Sequence, residues 1–154
     1  PDSVPEIEVR WEVSTSEEFE LIAAQGTTTT NPGQDYTVKV DAQGLEAGTQ
    51  YYYRFHALEA TSMTGRTRTA PQEAEALHFA VVSCSNYEFG PFNAYGALAV
   101  RTDLDAILHL GDYIYEYGQG VYGNTESGRL NLPNKELVEL SDNRTRYAQY
   151  RLDP

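Results

Sequence analysis

The sequence predicts two folds in succession: an antiparallel β-sandwich over residues 1–70, a linker at 71–76, and the opening βαβ unit of a truncated α/β domain over 77–154. Three observations predict this. Apolar and polar residues alternate with period two through the first half, as in strands with one buried face. Turn formers punctuate those strands at short intervals. In the second half, two continuous apolar runs flank a segment whose large side chains recur every three or four residues, which is the pattern of strand, helix, strand.

The first strand is "EIEVRWEV", with Ile7, Val9, Trp11 and Val13 on one side and Glu6, Glu8, Arg10 and Glu12 on the other. Thr15 followed by Glu18 allows a single capped helical turn, after which Gly26 and four threonines return the chain to extended structure. "DYTVKVD" predicts a further strand with Tyr36, Val38 and Val40 inward, and "YYYRFHAL" another with Tyr51, Tyr53, Phe55 and Ala57 inward. "NPGQ" and "QGLEAGT" are the turns between them. "GLEAGTQYYYRFHA" resembles the strand-opening signature of fibronectin type III modules, in which a corner tyrosine bonds its hydroxyl to nearby backbone. Tyr51 is the candidate for that corner, or else a cross-strand packing aromatic. A complete module has seven strands, and four or five are counted here, so a strand or two is expected before Pro1.

"TGRTRTAPQEAEA" is polar, carries Pro71 and separates the halves. "LHFAVVSC" then reads as a strand covered on both faces, "GPFNAYGALAVR" as a helix opened by Pro91 with Phe92, Tyr95, Leu98 and Ala99 on one side, and "LDAILHLGD" as a second covered strand. Strands joined by such a crossover are parallel and are expected to be neighbours.

Forty per cent hydrophobic residues and 12% aromatics over 154 residues are enough for a packed core. Lys plus Arg number 11 against 23 Asp plus Glu, and the net charge of −12 makes nucleic acid and anionic membrane poor partners. A small phosphate ester is not excluded, because bound cations reverse the local potential. The single cysteine, Cys84, permits no intramolecular disulfide, and no apolar run is long enough for a membrane span. The chain begins at Pro1 without Met, as expected of a processed or excised segment.

Parallel neighbours bring their carboxyl ends to one sheet edge, where open α/β sheets place ligands. Cys84 ends the first covered strand, Asp112 follows the second across Gly111, and Tyr115 returns to the Asp112 side after one turn. Thiolate, carboxylate and phenolate together repel one another, so a strong Lewis acid is needed to hold all three ionised near neutrality. A mixed soft and hard donor set suits iron better than magnesium or calcium alone, and a second, harder ion can share Asp112. Each residue also has an ordinary reading: a cysteine as a small buried hydrophobe, an Asp after Gly as a turn, one tyrosine among twelve.

"VVSCSN", "FNAYGALAVRTDLDAILHLGDYIYEYG" and "LSDNRTRYAQYRLDP" resemble, in order and spacing, the alkaline phosphatase D family of metallophosphoesterases, and "VRWEVSTSEEF" to "YYYRFHA" resembles the fibronectin-like module that precedes its catalytic domain. The resemblance implies a secreted, periplasmic or cell-surface phosphomonoesterase and phosphodiesterase that uses one ferric iron (Fe3+) and calcium (Ca2+). It places the iron ligands on Cys84, Asp112 and Tyr115, with Asp112 bridging to calcium and acting in catalysis through the metals. The family's other ligands fall beyond Pro154, so the chain alone is expected to be inactive and to need the remainder of its own catalytic domain as partner. The competing reading is a noncatalytic sandwich that binds carbohydrate or a partner protein.

Other signals point to ordinary roles. "GQGVYG" fits a dinucleotide fingerprint but precedes turn formers instead of a helix, so it reads as a mobile loop beside the site. His109, His56 and His78 read as core histidines bonded to backbone, and Glu116 as a solvated loop carboxylate. Asn86 either orients a phosphate or caps the next helix. "SDNRTRYAQYRL" predicts an amphipathic helix capped by Ser141 or Asp142, with Tyr147, Tyr150 and Leu152 partly buried and Arg144 and Arg151 outward.

Overall fold

A computed structural model describes residues 5–153. The chain divides into two compact units, Pro1–Glu75 and Ala76–Pro154. The first is built on β1 (Ile7–Ser14), β2 (Ile22–Thr30), β3 (Gln50–Ala57), β4 (Ala60–Thr61) and β5 (Gly65–Arg68). They form one five-stranded sheet in the order β2-β1-β3-β4, with β5 also on β3, and every pairing is antiparallel. The described residues of this unit form no second sheet to complete a sandwich.

Alternation in β1 places Val9 and Val13 in the core, with Tyr51 of β3 and Phe19 of the β1–β2 connection. That connection is a tight turn, not a helical one: Phe19 N donates to Ser16 O at 3.1 Å, and Phe19 takes φ 60°, which ends any helical path. Gly26 faces Trp11 in register, and a Cβ there would lie 2.8 Å from the indole, so the ring's seat on β2 requires glycine.

Tyr51 behaves as a corner tyrosine. It is 2% exposed, and its hydroxyl accepts from Glu46 N at 2.9 Å. Phenylalanine there keeps the ring but strands that donor, so Tyr51→Phe is expected to lower stability by about 1–2 kcal/mol in chemical denaturation of the full-length protein. Tyr53, expected inward, is instead 36% exposed with its ring over Gly65.

"DYTVKVD" begins in a turn, forms no strand and joins no ladder. Asp35 and Tyr36 both take positive φ, 54° and 53°, which swings the chain away after β2. Thr30 Oγ1 donates to Thr37 O at 2.8 Å and Tyr36 N to Asn31 O at 3.1 Å, which ties its start back. The alternation survives without the pairing: Tyr36, Val38 and Val40 are half-buried, and Thr37 and Lys39 are exposed.

The second unit contains β6 (Phe79–Val82), α1 (Asn93–Ala99), β7 (Ala106–His109) and α2 (Leu140–Tyr150). Strands β6 and β7 pair in parallel, from Phe79 opposite Ala106 to Val82 opposite His109. Both were expected to be covered on both faces, yet Phe79, Val81, Ile107 and Leu108 are about half exposed, at 48–59%. A two-stranded sheet has too few neighbours to enclose its own apolar residues. In α1, Phe92 is the N-cap, and Phe92, Tyr95 and Leu98 form the half-buried side while Ala99 is exposed.

Helix α2 is capped by neither Ser141 nor Asp142. Glu139 holds the N-cap position, and Asp142, one turn in, reaches back to accept from Glu139 N at 3.1 Å. Its buried side is polar: Asp142, Arg146 and Gln149 join Tyr150, whereas Tyr147 and Leu152 are largely exposed. Arg144 and Arg151 are exposed as expected.

Candidate metal centre

Backbone pairing between β6 and β7 continues past their ends. Leu110 N donates to Val82 O at 2.9 Å, Cys84 N to Gly111 O at 3.1 Å, and Ser85 N to Asp112 O at 3.0 Å. Cys84 and Asp112 therefore sit side by side although 28 residues separate them. Gly111 takes φ 117°, a conformation open to glycine, and Cys84 and Asp112 also take positive φ, 63° and 54°. Left-handed backbone at a non-glycine residue is strained by about 1–3 kcal/mol and gathers at functional sites. Here two such residues are neighbours.

Their side chains meet. Cys84 Sγ lies 3.6 Å from Asp112 Oδ2, and the Tyr115 hydroxyl donates to the same oxygen at 3.2 Å. Cys84 and Asp112 are exposed and Tyr115 is half-buried. The Cys84 hydrogen bond, partial burial and the Asp112 carboxylate all push the Tyr115 hydroxyl far above the ordinary tyrosine range. Without a cation the phenol keeps its proton, and a bound cation reverses that preference. One soft and two hard donors around a shared carboxylate oxygen fit an ion such as ferric iron. Among the described residues no group of three or more His, Cys, Asp or Glu gathers anywhere, this site included; here two such residues, Cys84 and Asp112, stand with the Tyr115 phenol.

The remaining candidates do not join it. His109 is exposed, contrary to the expected core position, because β7 is uncovered. Its Nδ1 accepts from Gly111 N at 3.2 Å, and its Nε2 lies 2.7 Å from the Tyr95 hydroxyl. His78 is exposed too, its Nδ1 3.2 Å from Asp103 O, and half-buried His56 bonds to side chains, Glu12 and Thr61, instead of backbone. Asn86 caps: its Oδ1 accepts from Glu88 N at 3.0 Å, and its Nδ2 donates to Tyr122 O at 2.7 Å. Glu116 is exposed.

The "GQGVYG" loop is pinned, not loose. Gln119 N donates to Asn134 Oδ1 at 3.1 Å, Gln119 Nε2 to Asn131 O at 3.1 Å, and Gly120 N to Glu88 Oε2 at 3.0 Å. Glu88, Asn131 and Arg146, all 0% exposed, went unnoticed in the sequence. The one signal, for Arg146 alone, was spacing: Asp142, Arg146 and Gln149 recur every three or four residues along α2, marking a buried side that is polar.

Two family models match the chain: "PhoD-like phosphatase, N-terminal domain" over residues 1–71 and "PhoD-like phosphatase" over residues 79–154. Alkaline phosphatase D of Bacillus subtilis (strain 168) is 40% identical over 151 residues, which are 96% of this chain and 26% of that protein. A solved structure described as "Structure of PhoD" superposes with a TM-score of 0.85 at 39% identity, over 97% of this chain and 29% of the other. The chain thus spans between a quarter and a third of the length of these relatives.

Proposed function

The chain belongs to the PhoD-like phosphatase family, and from that premise we propose that the full-length protein hydrolyses phosphate monoesters and diesters at a centre held in part by Cys84, Asp112 and Tyr115. The observation that carries the reading is the meeting of thiol, carboxylate and phenol at Asp112 Oδ2, on strained backbone at the carboxyl ends of two parallel strands. Cys84, Asp112 and Tyr115 would hold an iron ion, and Asp112 would also serve a calcium ion beside it. When bound, such ions supply Lewis acidity to the phosphoryl oxygens.

Each residue has a distinct part. The sheet edge fixes Cys84 and Asp112, so the carboxylate is presented with little freedom, and Tyr115 closes the third side. In a chain with net charge −12, this concentrated cation site is what admits an anionic ester. Three donors from one edge do not close a two-ion centre, so other parts of the full-length protein supply the remaining ligands, and the present segment alone is inactive. Among the described residues no helix is long and apolar enough to cross a membrane, and the family's activity fits a secreted or cell-surface setting.

The test is spectroscopic. Iron-loaded full-length protein is expected to show a visible phenolate-to-iron charge-transfer band, and Tyr115→Phe to abolish or shift it. A colourless iron-replete protein, or a band indifferent to that substitution, rejects the ligand set.

A further inference from the structure

The feature that the ligand trio leaves unexplained is the guanidinium of Arg146. It is 0% exposed and spreads its donors over four backbone carbonyls. Nε reaches Leu132 O at 2.8 Å, Nη1 reaches Tyr115 O at 2.5 Å, and Nη2 reaches Tyr117 O and Pro133 O, both at 3.1 Å. Removing a permanent cation from water is costly, and here carbonyl dipoles replace the solvent. A planar fork with five donors can span four carbonyls; an ammonium on a flexible stem cannot.

Two of those carbonyls belong to Tyr115 and Tyr117, in a stretch outside any helix or strand. The sheet-like pairing ends at Asp112. Beyond it, the backbone is tied by Arg146 at residues 115 and 117, by Leu137 N to Glu116 O at 2.9 Å, and by Asn131 Nδ2 to Tyr117 O at 3.3 Å. The sheet edge therefore holds Cys84 and Asp112, while the backbone at 115–117 is held by Arg146 of α2 and by residues 131 and 137 of the segment that leads into it.

We infer that Arg146 is a positioning residue for Tyr115: its fork anchors the 115–117 backbone to α2 and so aims the phenol at Asp112 Oδ2. This rests on the reading of Tyr115 as a metal ligand. It also assigns α2, which supplies no ligand of its own, a part in holding the ion.

The experiment compares full-length wild type with Arg146→Met, which removes the fork and keeps an apolar stem, and with Arg146→Lys, which keeps the charge. Hydrogen exchange of residues 113–118 is measured on metal-free protein, and iron loss to a chelator on loaded protein. In Arg146→Met both are expected to quicken about tenfold or more, with kcat falling and KM within about twofold of wild type, as for other residues that orient metal ligands. Arg146→Lys is expected to fall between. A folded variant with wild-type exchange at 113–118 and wild-type iron loss overturns the inference. If Arg146→Met does not fold, Arg146→Lys decides, and wild-type behaviour in it is the overturning result. Should wild type bind no iron, the proposed function fails, while exchange on the metal-free proteins still decides whether Arg146 anchors Tyr115.

Discussion

Asp112→Asn in the full-length protein is expected to lower turnover of a nitrophenyl phosphodiester by about three orders of magnitude or more, since charge stabilisation by the metals carries most of the rate in this chemistry. The substitution isolates charge from shape. Asparagine is nearly isosteric, and it tolerates left-handed backbone as well as aspartate does, so φ 54° is kept without added strain. Asp112 is also exposed, which leaves the packing untouched. What is lost is the anionic oxygen toward which Cys84 and Tyr115 both point. Steady-state kinetics with parallel metal analysis and a thermal melt checks this. An unchanged melting temperature with turnover within about tenfold of wild type removes Asp112 from the centre of the mechanism.

Glu88→Ala is expected to be strongly destabilising, by about 3–5 kcal/mol, since two backbone donors lose their acceptor at about 1–3 kcal/mol each and a cavity opens. The Glu88 carboxylate is 0% exposed and accepts from Gly120 N at 3.0 Å and Asn131 N at 3.1 Å. Alanine strands both donors, opens a cavity, and leaves buried Arg146 without a nearby negative charge. Gly123 packs so closely that any Cβ there would overlap the Glu88 side chain, so neighbouring backbone has little room to collapse into the gap. Glu88→Gln keeps the volume and one acceptor and recovers part of the loss. Thermal or denaturant unfolding of the full-length protein measures both. A Glu88→Ala shift under about 1 kcal/mol means that the network is not a determinant of stability.

The parts of the fold that could be read from the sequence are those governed by local rules. Alternation placed Val9 and Val13 inward, and the resemblance of "GLEAGTQYYYRFHA" to a fibronectin strand opening offered, as one of two readings, a bond from the Tyr51 hydroxyl to nearby backbone. The meeting of Cys84 and Asp112 followed from topology, because parallel neighbours end at a common edge whatever lies between them. What escaped depends on partners that no local window contains. Residues 35–41 show the right periodicity, but a ladder needs a second strand beside them. The apolar runs of β6 and β7 signalled strands correctly and burial wrongly, since burial belongs to the layers around a sheet. Arg146 and Glu88 gave no sign of their burial, because backbone groups compensate it, and backbone donors and acceptors have no signature in a sequence.

The seat of Trp11 on Gly26 has a practical corollary. Trp11 is the single indole of these 154 residues, so within this chain intrinsic tryptophan emission is an optical probe of the antiparallel unit. The Asp112 neighbourhood, rich in phenols and without an indole, contributes through tyrosine absorbance. Indole emission therefore follows the antiparallel unit alone, whereas tyrosine absorbance, with four phenols in that unit and eight in the other, follows both, so a change in absorbance at constant emission marks loss of the reactive end without adding a label.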